Sequence, residues 1–250
     1  MSNSFIFLGS SFVFVKYTRM IDGAILVDKP QGWTSHDVVA KIRNFFRLEK
    51  VGHCGTLDPM ATGLLVIVVG KGTKLSNSLM CGDKRYSGEM TLGVTTDSYD
   101  AEGEILETRT VGDINETQVK EIFLSMKGDQ YQLPPMVSAK KIGGKPLYKL
   151  ARKGITVERE PRLIHIYDFN FLTFELPRIG FDLKATKGTY VRTITHDIGE
   201  KLGCGAHLSM LRRTESGDFK VQDAIALDDL LKLSIQDFEK RVIPVYRIKV

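Results

Sequence analysis

The stretch from residue 52 to residue 63 constrains this chain more than any other part of its sequence. It reads GHCGTLDPMATG, with an amphipathic helical pattern before it and six apolar residues, Leu64 to Val69, after it. An apolar run of that length, bounded by glycines, predicts a buried strand. Proline disfavours the helical conformation for the residue before it, so Asp58 is held extended ahead of Pro59. On spacing alone, a solvated turn is the simpler interpretation of Asp58, because Asp-Pro pairs commonly form turns.

The composition is that of an ordinary globular protein, with 42% hydrophobic and 26% charged residues in a chain of 250. Such a chain buries a large core as one domain, or as one domain with an insertion. Its three cysteines show no C-x-x-C spacing and no disulfide framework. Their pattern favours a reducing compartment, and we expect a cytoplasmic protein. The net charge of +5 is compatible with a polyanionic partner.

The first 20 residues differ from the sequence that follows. Two short apolar runs, separated by a glycine and two serines, come before the first basic residues. A signal peptide has its basic residues ahead of the apolar stretch, and these runs are too short and broken to cross a bilayer. We therefore expect residues 1–20 to be an extension outside the fold, with Met20 as a candidate start, and no membrane attachment.

Motifs of several cofactor-dependent chemistries are missing. The chain has no G-x-x-x-x-G-K-[ST] loop and no G-x-G-x-x-G after a predicted strand. The spacing around His53 and Cys54 is not that of a zinc finger or a zinc deaminase, and the segment 94–103 lacks the ligand pattern of a calcium loop. We therefore predict neither a metal site nor a cofactor. Cys54 has no clear base partner, so we interpret it as a loop filler rather than a nucleophile.

Hydrophobic periodicity predicts alternating strands and helices along the chain. The predicted helices cover residues 35–47, 71–80, 115–126 and 190–202, and the predicted strands cover residues 24–27, 64–69, 85–92, 162–174, 179–186 and 206–212. A Thr- and Asp-rich loop is predicted at 94–103. The segment 133–154 is the most basic part of the chain.

The 52–63 stretch resembles the signature of the TruB family of tRNA pseudouridine-55 synthases. Six further blocks resemble that family in the same order, from about residue 22 to about residue 245: DKPQG at 28–32, KRY at 84–86, GVTTDSYD at 93–100, QLPPMVSAK at 132–140, KGTYVRT at 187–193 and LRR at 211–213. Each block alone is a moderate signal, whereas the ordered set is a strong one. The resemblance implies an isomerase that converts the T-loop uridine of tRNA to pseudouridine.

The resemblance also implies roles for individual residues. Asp58 is the catalytic carboxylate of the family signature, Arg192 is the arginine that pairs with it, and Tyr86 is the tyrosine that stacks on the flipped base. Further residues match family blocks in or near the site: Tyr190, Leu211, His53, Lys29, Lys74, Asp100 and Lys140. Lys141 follows in the basic segment 133–154, which the resemblance implies grips RNA. Without the resemblance, Tyr190 and Leu211 would be interpreted as core residues.

The fold that the resemblance implies is α/β, a pseudouridine synthase fold with a mixed, largely antiparallel sheet flanked by helices. Residues 21–250 would form the catalytic domain and residues 133–154 an insertion that grips RNA. Many relatives continue into a small RNA-binding PUA domain, which we do not expect here. The expected partner is the T-arm stem-loop of tRNA, with no obligate protein partner, and the expected state is a monomer.

Three questions stay open at this stage. An RNA-binding protein or tRNA-folding chaperone with a vestigial pocket is the main alternative, although Asp58, Tyr86 and Arg192 together argue against it. A metal-dependent RNA hydrolase is a weaker alternative, because a ligand cluster is lacking. The sequence also leaves open whether Asp58 attacks the sugar C1′, attacks the base C6 or removes a sugar proton.

Overall fold

The computed structural model describes residues 21–136 and 157–249, together with the backbone of four short strands between residues 6 and 13 and between residues 141 and 146. We number strands and helices in chain order. The strands are β1 Ile6–Leu8, β2 Ser11–Val13, β3 Gly23–Lys29, β4 Val51–His53, β5 Thr62–Val69, β6 Lys84–Leu92, β7 Val94–Thr96, β8 Ile105–Thr108, β9 Gly128–Gln132, β10 Lys141–Ile142, β11 Lys145–Pro146, β12 Arg162–Glu175, β13 Arg178–Ala185, β14 Ala206–Ser216, β15 Phe219–Lys220, β16 Ile225–Ala226 and β17 Ile243–Pro244. The α-helices are α1 Ser35–Phe45, α2 Ser76–Met80, α3 Glu116–Ser125, α4 Val191–Lys201, α5 Leu227–Leu230 and α6 Ile235–Arg241, and short 3-10 helices cover Gly70–Leu75, Val221–Asp223 and Val245–Arg247.

One large sheet organises the protein. Its strands follow the order β16-β3-β5-β14-β6-β13-β12-β9, and β4, β15 and β17 pair with β5, β14 and β3. Only β14 with β5 and β16 with β3 run parallel among these described pairs; the others are antiparallel. The predicted mixed, largely antiparallel sheet is thereby confirmed. The strand β14 comes late in the sequence yet lies in the middle of the sheet, between β5 and β6.

The apolar run of β5 is continuous because both of its faces are covered. Leu65, Ile67 and Val69 belong to the main core, to which α1, α3 and α4 also contribute. Leu64, Val66 and Val68 point to the other face, where the 3-10 helices and the C-terminal residues form a second, smaller core. A strand buried on both faces cannot alternate apolar with polar residues, so the sequence shows an unbroken run.

Two of the predicted helices begin with a reciprocal pair of capping hydrogen bonds. The Thr34 side chain accepts a hydrogen bond from the Asp37 N–H, and the Asp37 carboxylate accepts one from the Thr34 N–H. Asn115 and Gln118 form the same reciprocal arrangement at the start of α3. Each pair satisfies N–H groups that have no partner inside the helix. The helix α1 then buries Val38, Val39 and Ile42 against the sheet.

The structure differs from the predicted elements in several places, and it adds short elements that were not predicted, among them β4 and the helices α5 and α6. The segment 94–103 is not entirely a loop, because β7 pairs with β8 across it. The predicted helix at 71–80 is a 3-10 helix followed by the short α2. The edge strand β9 was not predicted, since its sequence GDQYQ has little apolar content.

Part of the basic segment 133–154 lies outside the described residues. Lys140 is among these, and of Lys141 only the backbone, in β10, is described. Within the part of the chain that the structure describes, no helix is long and apolar enough to cross a membrane.

Candidate active site

A pocket of about 410 Å³ opens where the loop after β4 meets β6, β14 and the start of α4. It gathers five of the predicted site residues, although they come from widely separated parts of the sequence. The lining residues are Gly55, Thr56, Leu57, Asp58, Met80, Lys84, Tyr86, Arg162, Lys187, Gly188, Thr189, Tyr190, Val191, Arg192, Leu211 and Arg213. The volume lies within the range of pockets that hold small organic ligands.

The carboxylate of Asp58 is paired with the guanidinium of Arg192. Arg192 Nε lies 2.9 Å from Asp58 Oδ2, and Arg192 Nη2 donates to Asp58 Oδ1 at 3.3 Å. Two parallel contacts of this kind fix the plane of the carboxylate as well as its charge. The Asp58 side chain is 35% exposed, toward the pocket, whereas the Arg192 side chain is only 4% exposed. The carboxylate is therefore open to a ligand while its partner is held inside.

The opposite edge of the Arg192 guanidinium is held by the loop after β7. Its Nη1 donates to the Ser98 carbonyl at 3.0 Å and lies 3.4 Å from Asp100 Oδ2. The Asp100 carboxylate is itself fixed, because Ser98 Oγ donates to Asp100 Oδ1 at 2.6 Å. Arg192 thus bridges two carboxylates, one facing the pocket and one buried.

Both neighbours of Asp58 in the sequence are anchored to the helix-bearing side of the fold. The Leu57 N–H donates to Ser35 Oγ at 2.8 Å. The Pro59 carbonyl accepts from Lys29 Nζ at 3.2 Å, and the same ammonium donates to the Trp33 carbonyl at 2.6 Å. Lys29 is fully buried, so in this structure it supports the Asp58 loop and does not face solvent. Its role in RNA binding stays a prediction.

Arg213 is a residue of the site that sequence reasoning missed. It is 1% exposed and donates to three backbone carbonyls, those of Leu64 at 2.7 Å, Thr56 at 3.3 Å and Gly55 at 3.1 Å. It also interacts with the Tyr86 hydroxyl. A buried arginine is stabilised only when most of its donors are satisfied. Arg213 therefore ties the Asp58 loop to β5 and β6.

A sequence signal for Arg213 existed. Successive side chains on a strand point to opposite faces, so the doublet Arg212-Arg213 on β14 must send one arginine inward. The structure shows Arg212 on the outer face, where it pairs with both oxygens of Asp28. Arg213 lies directly opposite Tyr86 in the antiparallel pairing of β14 with β6.

Charge and burial shift the pKa values of several groups in the site. Burial raises the pKa of the Asp58 carboxyl, the Arg192 guanidinium opposes that rise, and the negative Asp100 adds to it. Burial lowers the pKa of Lys29 to about 8 and that of Lys84 to about 8. The phenol of Tyr86 has a raised pKa, chiefly because of burial, so the hydroxyl is neutral at ordinary pH.

The other predicted site residues differ in their location and in their exposure to solvent. Tyr190 precedes α4, and its backbone N–H and carbonyl bond the side-chain amide of Gln132. Leu211 lines the pocket on β14. His53 is half-buried on β4, outside the pocket lining, and burial lowers the pKa of its imidazole. Lys74 is exposed on the 3-10 helix before α2.

These features define what the pocket can do chemically. It offers one carboxylate held by a guanidinium, an aromatic ring on β6 and an apolar side chain on β14. Among the residues that the structure describes, no group of His, Cys, Asp and Glu side chains could hold a metal ion. The arrangement suits a planar, polar ring that is covered by Tyr86 and approached by the Asp58 carboxylate.

Two family models match adjacent parts of the chain. The TruB family pseudouridylate synthase N-terminal domain matches residues 43–191, and the tRNA pseudouridylate synthase B C-terminal domain matches residues 192–245. The boundary between them falls inside the site, at the first turn of α4. The second segment supplies Arg192 and the strand β14, which lies in the sheet between β5 and β6 of the first segment.

Curated relatives from several bacteria share the sequence over most of this chain. A protein of Opitutus terrae named tRNA pseudouridine synthase B is 52% identical over 92% of this chain and 95% of its own length. Proteins of the same name from Syntrophotalea carbinolica and Haemophilus influenzae are 51% and 46% identical, and the match covers 87% and 88% of this chain and 71% of each of them.

Solved structures share the fold. A chain in the crystal structure of a Cbf5-Nop10-Gar1 complex superposes with a TM-score of 0.72 and 32% identity, covering 91% of this chain. A chain in the structure of an H/ACA RNP bound to a substrate RNA containing 2′-deoxyuridine gives a TM-score of 0.67 and 30% identity. The present chain spans 61% and 58% of the length of those two chains.

Proposed function

The chain belongs to the TruB family of pseudouridylate synthases, and from this premise we propose that it isomerises uridine to pseudouridine in tRNA. The uridine acted upon is the T-loop uridine at position 55, and the recognised element is the T-arm stem-loop. The observation that carries the proposal is the Asp58 carboxylate, which is open to the pocket and paired with Arg192.

The reaction needs no redox equivalent and no external group. The bond between the base N1 and the sugar C1′ breaks, a bond between C5 and C1′ forms, and the C5 proton is exchanged for one on N1. A target base in a folded RNA must leave its stack before such chemistry. In this proposal the flipped uracil enters the pocket and stacks on Tyr86, with Leu211 and Tyr190 completing the walls.

Asp58 is the reactive group in this proposal. As a carboxylate it can serve as a nucleophile, toward the sugar C1′ or the base C6, or as a base toward a sugar proton. Each of these roles requires the ionised form. Arg192 supports that form in the pocket, because a nearby cation opposes the pKa rise that burial causes.

The remaining RNA contacts are proposed for the outer surface. The segment 133–154 acts as an insertion of the catalytic domain, residues 21–250, and its lysines meet the phosphate backbone. His53 supports the opened T-loop. A tRNA substrate and three free cysteines, Cys54, Cys81 and Cys204, favour the cytoplasm as the place of action. The acting unit is a monomer.

Tritium release tests this function directly. The purified protein is incubated with tRNA carrying uridine labelled at C5, and the modified position is then mapped. We expect tritium release from a single T-loop uridine, none with Asp58→Asn, and unchanged tRNA binding by that variant, since amide and carboxylate are nearly equal in size. Binding without release by the wild-type protein would instead favour the RNA-binding or chaperone alternative.

A further inference from the structure

The backbone next to Arg192 adopts a conformation that is rare for its residue type. Ser98 and Asp100 hold the guanidinium from the side away from Asp58. Between them, Tyr99 has φ of 64°, in the left-handed region that bulky side chains seldom occupy. Such conformations persist where the surrounding structure enforces them, and they concentrate at functional sites.

An aromatic contact of the Tyr99 ring helps to hold this backbone conformation in place. It stacks on the imidazole of His196, with centroids 3.9 Å apart and planes inclined by 10°. His196 lies on α4 four residues after Arg192, one helical turn away on the same side. One aromatic contact therefore joins the loop that holds Arg192 to the helix that carries it.

Backbone bonds hold the same loop against β14. The Leu208 N–H donates to the Tyr99 carbonyl at 3.0 Å, and the Ala101 N–H donates to the Leu208 carbonyl at 3.0 Å. These two hydrogen bonds fix the position of the loop along the strand β14. The Tyr99–His196 stack sets its distance from α4, and hence the position of the Ser98 carbonyl and the Asp100 carboxylate relative to Arg192.

We propose that Tyr99 and His196 are a positioning pair that orients the Arg192 guanidinium toward Asp58. Neither side chain lines the pocket, so the pair acts through Arg192 and does not touch the substrate. The inference rests on the proposed function, because turnover at Asp58 is its readout. A displacement of the guanidinium by a fraction of an ångström would weaken its two contacts with Asp58 and slow the chemical step.

The first test removes each ring in turn. Asparagine tolerates the left-handed conformation, so Tyr99→Asn deletes the ring without opposing the backbone. We expect kcat to fall about tenfold, equivalent to about 1.4 kcal/mol, with KM for tRNA unchanged, because substrate binding is retained. His196→Ala should show the same loss. Tyr99→Phe and His196→Phe keep a flat ring and should retain wild-type kcat.

A matched control and a double variant separate positioning from general weakening. Tyr167→Asn removes a tyrosine that contacts His165 on the outer face of the sheet and should leave kcat unchanged. The Arg192→Lys variant has no guanidinium for Tyr99 to orient, so adding Tyr99→Asn to it should lower kcat by less than about twofold more. Independent effects would instead multiply. All variants are compared at a temperature where circular dichroism shows each of them folded.

Three results would overturn the positioning role: wild-type kcat in both Tyr99→Asn and His196→Ala, a loss confined to KM, or multiplicative losses in the double variant. These results differ from a failure of the proposed function. If the wild-type protein releases no tritium from labelled tRNA, the function fails. If it does and the ring variants match it, only the positioning pair is wrong.

Discussion

Asp58 and Arg192 meet edge to edge, with Arg192 Nε 2.9 Å from Oδ2 and Arg192 Nη2 3.3 Å from Oδ1. The pair is asymmetric, because the Asp58 side chain is 35% exposed whereas the Arg192 side chain is only 4% exposed. Such a geometry fixes the orientation of the reactive group while its free lone pairs remain available to a substrate.

Arg192→Lys tests whether this geometry matters beyond charge. Lysine retains the positive charge but cannot make two parallel contacts, so we expect kcat to fall by more than about tenfold, or about 1.4 kcal/mol. Arg109→Lys is the control, since Arg109 also binds two carboxylates, of Glu107 and Glu200, but lies away from the pocket. Steady-state tritium release measures both. If Arg192→Lys were as active as wild type, the positive charge of Arg192 would be sufficient and its two-point contact with Asp58 would not matter.

Tyr86→Leu removes the aromatic ring on β6 while leaving an apolar side chain. Stacking of a base on an aromatic ring is worth about 1–3 kcal/mol, so kcat/KM should fall accordingly. Tyr86→Phe keeps the ring and loses only the hydroxyl contact with Arg213, so it should stay near wild type. If Tyr86→Leu is as active as wild type, Tyr86 contributes only to packing of the hydrophobic core and does not stack on the base.

The pH dependence of kcat/KM should report the ionisation of Asp58. Because the reaction needs the carboxylate, activity is lost as the pH falls through its pKa, and burial moves that pKa above the ordinary aspartate value. The charge of Asp100 contributes to the rise, so Asp100→Asn should shift the acid limb to lower pH. Asp129→Asn, which removes an exposed charge beside His165, should leave the limb in place. A shift of the Asp100→Asn limb to higher pH would contradict this account.

Arg213→Met should destabilise the protein, because it leaves the carbonyls of Leu64, Thr56 and Gly55 without their donor. Only the bond to Leu64 is fully buried, whereas those to Thr56 and Gly55 are partly buried. A buried carbonyl without a partner costs about 1–3 kcal/mol, so we expect a loss of about that size in the free energy of unfolding. Arg212→Met is the matched control from the adjacent position. Its partly exposed pair with Asp28 is worth about 1 kcal/mol or less. Urea denaturation of both variants checks the difference, and equal losses would refute a special role for Arg213.

The lysines of the segment 133–154 should govern the salt dependence of tRNA binding. If Lys140 and Lys141 contact phosphates, replacing both with glutamine should flatten the plot of log affinity against log salt by about 0.7–0.9 for each lost contact. Lys232 and Lys240 provide the control, because both are exposed and paired with nearby aspartates. An unchanged slope in the first variant would mean that the segment is merely solvated.

Local signals predicted the secondary structure well where the physics is local. Hydrophobic periodicity predicted the helices α1 and α3, and it predicted the strands β12 and β13, which pair as a hairpin. The strand β9 escaped prediction because its stability comes from pairing with β12, not from its own apolar content. No local pattern could show that β14 enters between β5 and β6.

In the candidate site, too, local sequence features were predictable, whereas features that depend on contacts between distant segments were not. Family resemblance predicted Asp58, Tyr86, Arg192, Tyr190 and Leu211 as site residues, and all five line one pocket. It did not indicate that Lys29 and Asp100 lie buried beneath the surface, since burial depends on how distant segments meet. Arg213 was not predicted as a site residue, because arginine side chains are usually exposed to solvent. Its partners become visible only when β14 is seen to place it opposite Tyr86 on β6.

The central position of β14 has a consequence for the order in which the protein is made. Asp58 and Arg192 are 134 residues apart in the chain, and Arg213 follows later still. A growing chain that has emerged as far as β13 holds Asp58 and Tyr86 but neither arginine, and β5 and β6 present unpaired edges. Such long-range pairing is slow to form. The sheet and the pocket are complete only when α4 and β14 are both in place, so the fold of this chain and its reactivity depend on the same late-arriving segments.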